Sequence, residues 1–204
     1  MAARAPGTES TPSAAALALL LPDALASRDR VSLAPSGRDA GVMLILYDVD
    51  GRGHLVLTRR SDSVAHHRGE VALPGGRTEA QDRDLLDTAL RETEEEIGVP
   101  REALAILGPL DDVHTIASGF TVSPWLAHHP GGRPRMTAEE SEIARIMEVS
   151  LADVLAADRR LPRHADIATL RYPLMGEDVW GMTARILRNL ADVVHRVAGP
   201  AAAP

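Results

Sequence analysis

Nine residues, Arg91-Glu92-Thr93-Glu94-Glu95-Glu96-Ile97-Gly98-Val99, put four glutamates into the closing turns of a helix, and no other segment constrains this chain as much. Asp84 stands ahead of an apolar run as an N-cap, and Gly98 followed by Pro100 is a stop signal. Between them Leu86, Ala89, Leu90, Thr93 and Ile97 recur at helical spacing, so one face must be buried. The acids oppose that helix. Like charges at i,i+4 cost ~0.2–0.5 kcal/mol per pair, and the negative end of the helix dipole repels acids further. Arg91 is too little compensation. At roughly 100° per residue, Glu92 and Glu96 stand about 40° apart on the flank of the apolar face, with Glu95 beside Glu92 and Glu94 turned away. Three carboxylates can therefore converge on a divalent cation, which points to phosphate chemistry. The alternative is a solvated acidic face.

Upstream, Val71-Ala72-Leu73-Pro74-Gly75-Gly76 reads as a short strand breaking into a loop. Paired glycines there let the backbone approach a ligand, or offer a carbonyl to a metal, although a tight turn is the simpler use of Pro-Gly-Gly. Taken with Asp82 and the acidic helix, the segment from Gly76 to Val99 resembles the Nudix box, the signature of Nudix hydrolases. That pattern is Gly, five residues, Glu, seven residues, then Arg-Glu-U-x-Glu-Glu-x-Gly-U, with U apolar. Here Asp82 replaces the first glutamate, with eight residues between it and Arg91, and Thr93 stands where an aliphatic residue is usual. The resemblance implies an α/β/α sandwich with a mixed sheet between helices. It also implies Mg2+ or Mn2+ held by Glu92, Glu95, Glu96 and the Gly75 carbonyl, with Arg91 holding a helix glutamate in place. A surface pair between Arg91 and Asp87 is the plainer role for that arginine.

Further segments are similar to one branch of the family, the coenzyme A pyrophosphatases. These are Leu57-Thr58-Arg59-Arg60-Ser61, Gly69, Leu73 to Gly76, Leu110-Asp111, Thr115, Ser118-Gly119-Phe120, Val122-Ser123-Pro124 and Val179-Trp180-Gly181-Met182-Thr183-Ala184. Ala65 departs from the branch, which carries arginine four residues before the glycine, and Leu73 replaces a common phenylalanine. The resemblance implies cleavage of coenzyme A or an acyl derivative to 3′,5′-ADP and 4′-phosphopantetheine. ADP-ribose or a dinucleotide such as NADH is the alternative substrate that Ala65 keeps open. A non-catalytic nucleotide sensor would not need the three helix glutamates Glu92, Glu95 and Glu96, all of which are retained.

Composition narrows the partners. The formal net charge of −7 and the 2% aromatic content argue against duplex and single-strand nucleic acid respectively. With no cysteine, thiolate chemistry and disulfides are excluded. No apolar run has the length of a membrane span. The flanks of the apolar stretch 14–21 read as a tail leading into a helix rather than a secretion signal, so the expected location is cytoplasmic. A small nucleoside diphosphate is the expected partner, with a homodimer left open.

The chain divides into a flexible tail and short helix at 1–30, with 14–30 helical, and a catalytic domain at 31–204. Strands are expected at 41–47 and 54–60 around a turn at 48–51, and at 104–114, 121–128 and 142–149, with helices at 151–157 and 180–197. Residues 129–137 form a loop long enough for a lid or substrate loop. Arg59, Arg60 and Arg68, with His66 and His67, form the only dense basic cluster; Arg suits bidentate phosphate contacts, so these arginines and Gly76 are the candidate substrate contacts. Nudix enzymes often recruit an acid from outside the box. Glu142 fits best, ahead of Glu140, and Glu92 or Glu142 is the candidate general base.

Overall fold

The computed structural model describes residues 11–62, 69–115, 119–162 and 169–198. In chain order its elements are α1 (Ala14–Ala26), β1 (Asp39–Val49), β2 (Arg52–Arg60), β3 (Val71–Ala72), β4 (Gly75–Arg77), α2 (Leu85–Ile97), a 3-10 turn (Arg101–Ala103), β5 (Ala105–Pro109), β6 (Val113–His114), β7 (Thr121–His128), β8 (Ile143–Ser150), α3 (Leu151–Arg160), β9 (Arg171–Leu174), β10 (Glu177–Trp180) and α4 (Gly181–Ala198).

The period-2 alternation of β1 builds both layers of core. Met43, Ile45 and Tyr47 face one cluster, which contains Ala89 and Ile97 of α2. Val42, Leu44 and Leu46 face the other, which contains the buried residues of α1, α3 and α4. The expected α/β/α sandwich is what forms, with α2 the one α-helix on its face among the described residues. The sheet is mixed: β1 runs parallel to β7 and antiparallel to β2. Asp50 and Gly51, with φ of 49° and 72°, make the left-handed two-residue turn that joins β1 to β2.

The two central strands pair only at that hairpin end, from Leu46↔Leu55 to Val49↔Arg52. Beyond it they part, and the Val71–Arg77 segment wedges between them. Its β3 half pairs with β2 through Thr58↔Ala72 and Arg59↔Val71. Its β4 half pairs with β1 through Val42↔Gly75, Gly41↔Gly76 and Ala40↔Arg77. The Met43 N–H donates to the Pro74 carbonyl at 2.8 Å and closes the wedge. This places the glycine loop beside the end of β2, where Arg59 and Arg60 sit.

Helix α1 ends at Ala26, short of the expected residue 30, and it is part of the core. Ala14, Leu17, Leu21 and Leu25 are buried. Its first amides are capped by Ser13 Oγ and by the Asp48 carboxylate at 2.7 and 2.9 Å, which ties the helix to the end of β1. The expected strand 104–114 is broken into β5 and β6 at Leu110-Asp111-Asp112. There the Leu110 N–H turns to Pro124 O, and Asp111 is held by Arg28 and Asn189. The β9–β10 hairpin was not expected; its turn, Met175-Gly176, has φ of 52° and 82°. Among the described residues no helix is long and apolar enough to cross a membrane.

The lid expected at 129–137 is not placed as one. Its first half lies at the hairpin end of β1, away from the glycine wedge, with the His129 N–H on Leu46 O and Arg133 paired to Glu148. The second half ends at the C-terminal end of α2, where the Thr137 N–H donates to Ile97 O at 2.9 Å.

Because α1 is core, Leu17→Ala should cost about 2–5 kcal/mol in urea unfolding. Leu19→Ala, on the same helix but 82% exposed, should stay within about 0.5 kcal/mol. Equal effects from the two substitutions would mean that α1 is not packed as described.

Candidate active site

Three glycines let the acidic helix and the wedge touch. A Cβ on Gly41 would lie 2.1 Å from the Leu85 carbonyl, so α2 rests directly on the β1 backbone. A Cβ on Gly75, whose φ is +148°, would lie 2.4 Å from Gly41 O. A Cβ on Gly76 would meet the Glu92 carboxylate at 2.4–2.6 Å, so that carboxylate occupies the space a side chain would fill. Helix α2 itself forms as its local signals require. Asp84 caps the Asp87 N–H at 2.8 Å, and Gly98 closes the helix in the left-handed conformation with φ of 69°. Ala89, Thr93 and Ile97 are buried. Thr93 keeps its hydroxyl satisfied inside the core by donating to Ala89 O at 2.6 Å.

Arg91 is the centre of the acidic cluster. It does not pair with Asp87, which is taken by Arg83 and Arg101. Instead it grips Asp82 in bidentate fashion, Nε to Oδ1 at 2.9 Å and Nη2 to Oδ2 at 3.0 Å. The same guanidinium reaches Glu92 at 3.0 Å, Glu95 at 2.9 Å and the Arg77 carbonyl at 3.1 Å. One side chain therefore links the helix, the Asp82 loop and the wedge. The Arg91 hydrogen bond holds the Asp82 carboxyl at about 2, below its ordinary value, with Thr88 Oγ1 adding a further donor.

Glu96 is the buried acid of the site. It accepts from the Gly75 N–H at 3.1 Å and faces Arg60 Nη1 at 3.4 Å. Burial pushes its pKa up to about 7, against the opposing pull of Gly75 and Arg60, while Glu92 and Glu142 add repulsion. Burial also raises Glu92. Glu142 meets Arg60 from the other side, Oε2 to Nη2 at 3.7 Å, with about half of its side chain exposed. Its segment is set by the end of α2, because the Thr137 and Glu139 N–H groups donate to the orphan carbonyls of Ile97 and Glu96 at 2.9 Å.

Of the predicted site residues, Arg60, Gly75, Gly76, Arg91, Glu92, Glu95, Glu96 and Glu142 come together. Arg59 leans aside to Glu177 at 3.7 Å and Asp62 at 4.0 Å, and Gly69 leaves room for its guanidinium. Arg68, Ala65, His66, His67 and Ser118 lie outside the described residues. Glu94 turns away towards Arg101, as its helical position requires. The expected convergence of Glu92, Glu95 and Glu96 is looser than the helical wheel suggests. Among the described residues no three such side chains form a ready-made metal cluster, because Arg91 draws Glu92 and Glu95 one way and Arg60 holds Glu96 the other. Gly75 meets Glu96 through its N–H, not its carbonyl. The donor set nevertheless fits a hard divalent cation. It offers hard carboxylate oxygens, and burial together with repulsion from the Glu142 carboxylate raises the pKa of both Glu92 and Glu96, with Glu96 the more buried and undercompensated. Two residues of the site carried no clear signal in the sequence. Thr88 is one, and Arg77, whose guanidinium lies 5.4 Å over the Phe120 ring, is the other.

This arrangement, an acidic helix docked through glycines on a split mixed sheet, defines a class. The NUDIX domain model matches residues 37–170. The chain is 38% identical over 146 residues to an "Uncharacterized Nudix hydrolase NudL" from Yersinia enterocolitica, covering 69% of this chain and 74% of that one. A like-named Yersinia pestis protein is 36% identical over 145 residues, covering 69% and 72%. The fold is similar to that of RenU, a Nudix hydrolase from M. smegmatis, with a TM-score of 0.57, 16% identity and coverage of 84% and 92%. It is also similar to the NUDIX domain of Shewanella oneidensis NrtR complexed with ADP ribose, with a TM-score of 0.51, 16% identity and coverage of 83% and 96%. The chain belongs to the Nudix family and is a pyrophosphohydrolase acting on nucleoside diphosphate derivatives.

Gly76→Ala tests the docking of Glu92. Only the far end of a flexible side chain must move, so the fold should survive while turnover falls about 10- to 100-fold, as when a ligand's support is lost. Glu94→Gln is the control and should stay within about twofold, the range of surface substitutions. Full activity in Gly76→Ala, measured with Mg2+, would show that the Glu92 position does not matter.

Proposed function

We propose that this enzyme hydrolyses the diphosphate of coenzyme A or an acyl-CoA, giving 3′,5′-ADP and a 4′-phosphopantetheine species. The observation that carries this reading is a convergence of segments far apart in the chain. The ends of β2 and β3 are paired, with Arg59 opposite Val71. Thr183 at the start of α4 donates to Val71 O at 3.1 Å, Glu177 of β10 meets Arg59, and Phe120 lies under Arg77. Arg59, Phe120 and Thr183 lie in segments that resemble the coenzyme A branch, and they border the wedge that carries Gly75 and Gly76.

In this proposal Glu92, Glu95, Glu96 and the Gly75 carbonyl hold Mg2+ or Mn2+, which when bound neutralises charge on the diphosphate oxygens and acidifies a water. Arg91 keeps Glu92 and Glu95 oriented, as supporting partners of ligands do. Gly76 gives Glu92 its space. Glu142, at the half-exposed rim, accepts the proton of the attacking water, with Glu92 as the second candidate. Arg59, Arg60 and Arg68 are the donors for the substrate's phosphates, where a planar guanidinium can bind two oxygens at once.

A second reading, an ADP-ribose or NADH pyrophosphohydrolase, is favoured by Ala65 alone. A non-catalytic sensor has less support, since six carboxylates gathered on two arginines serve no purpose in a cleft that only binds nucleotide. The 3′-phosphate separates the two substrates. Cleavage of coenzyme A, its 3′-dephospho form, ADP-ribose and NADH should be compared with Mg2+ present. Removing the 3′-phosphate should cost ~1.5–3 kcal/mol in kcat/KM, as for a hydrogen bond to a charged group. Equal rates with and without it, or a preference for ADP-ribose, would assign the enzyme to the alternative.

A further inference from the structure

Arg60 and Arg91 hold the same acidic cluster in different ways. Arg91 is locked by hydrogen bonds of 2.9–3.1 Å on three of its nitrogens, with an eighth of its side chain exposed. Arg60 faces Glu96 and Glu142 at 3.4 and 3.7 Å, beyond the length of charge-assisted hydrogen bonds, and a quarter of its side chain is exposed. Its backbone is fixed where its guanidinium is not. The Arg60 N–H donates to Glu70 O at 2.9 Å, and the next amide, Ser61 N–H, donates to Glu142 O at 2.7 Å. A bulge between Arg59 and Arg60 sets Arg60 opposite Ile143, directly after Glu142. The spacing between the arginine and its two carboxylates is thus built into the sheet, while the contact itself is loose.

We propose that Arg60 is an exchangeable internal counter-ion. In the free protein its guanidinium neutralises Glu96 and Glu142; when a divalent cation arrives on the carboxylates, Arg60 is displaced and turns to a phosphate oxygen of the substrate. This rests on the proposed metal role of Glu96. The physical ground is that Glu96 is buried and, among the described residues, has Arg60 and the Gly75 N–H to offset its charge. A second cation on that carboxylate repels the first, and the loosely held partner is the one that leaves. Arg60 then has its planar donor fork free beside the glycine wedge, the geometry suited to two phosphate oxygens. The consequence is linkage: Arg60 weakens metal binding to the free protein and strengthens substrate binding to the loaded one, so metal and substrate favour each other's binding.

The test uses the full chain and follows free Mn2+ by electron paramagnetic resonance during titration of wild type, Arg60→Gln, Arg60→Lys and Glu96→Gln. Arg60→Gln should bind Mn2+ about tenfold more tightly than wild type, the usual scale of coupling between sites. It should also melt at a lower temperature in EDTA, where its counter-ion is missing. At saturating Mn2+, its KM for whichever diphosphate is cleaved should rise by about the same factor. Arg60→Lys keeps one charge without the fork and should fall between the two, which guards against misfolding of the glutamine variant. Unchanged or weaker Mn2+ binding in Arg60→Gln, with Glu96→Gln losing Mn2+, would overturn the exchange and leave the metal site standing. Tighter Mn2+ with an unchanged KM would also overturn it, since Arg60 would then be only a competitor of the metal. Wild type and Glu96→Gln binding Mn2+ equally would remove the metal role of Glu96 and the exchange together.

Discussion

The bidentate pair between Arg91 and Asp82 carries the rest of the site. It anchors the guanidinium that compensates Glu92 and Glu95 of α2, and it does so from a residue outside the helix. The side chains of Arg91 and Asp82 are 12% and 2% exposed, so the pair is shielded from the water and salt that weaken surface ion pairs. From that anchor Arg91 reaches Glu92, Glu95 and the Arg77 carbonyl, and so fixes the helix to the wedge. Asp82 stands in for the usual glutamate one residue further from the helix arginine, and the structure gives the shorter acid the reach it needs.

Backbone proximity does the rest. Without side chains at Gly41, Gly75 and Gly76, the helix, the central strand and the wedge close to distances at which a single N–H can serve Glu96. Charge is then divided between two arginines of unlike character, one locked and one loose. The chain contains no lysine, so every side-chain cation apart from histidine is a guanidinium, suited both to carboxylates and to phosphates. An acidic pocket that keeps a loose arginine is arranged to exchange partners.

Local signals made much of this legible in the sequence. The limits of α2 followed from Asp84 and Gly98, its buried face from helical spacing, and the β1–β2 hairpin from Asp50-Gly51. What failed to read was long-range. The partner of Arg91 looked like Asp87 or a helix glutamate, because nothing in the spacing shows that a loop folds Asp82 back onto the helix. The 104–114 strand looked continuous because the break at Leu110-Asp111-Asp112 depends on Arg28, Asn189 and Pro124, all remote in sequence. Residues 129–137 had the length of a lid, but length does not reveal that Arg133 pairs with Glu148 at the opposite end of the sheet from the wedge. The convergence of the box carboxylates was legible as a direction on a helix, and not as distances, since arginines from other elements decide those.

The most direct test of this account is a double-mutant cycle on Arg91 and Asp82, with unfolding free energies measured in urea for wild type, Arg91→Met, Asp82→Asn and the double variant. A buried, charge-assisted, bidentate pair predicts a coupling of ~1.5–3 kcal/mol. Additivity within about 0.5 kcal/mol, the behaviour of independent sites, would mean that Arg91 is not anchored by Asp82, and the organising role given to that pair would be wrong.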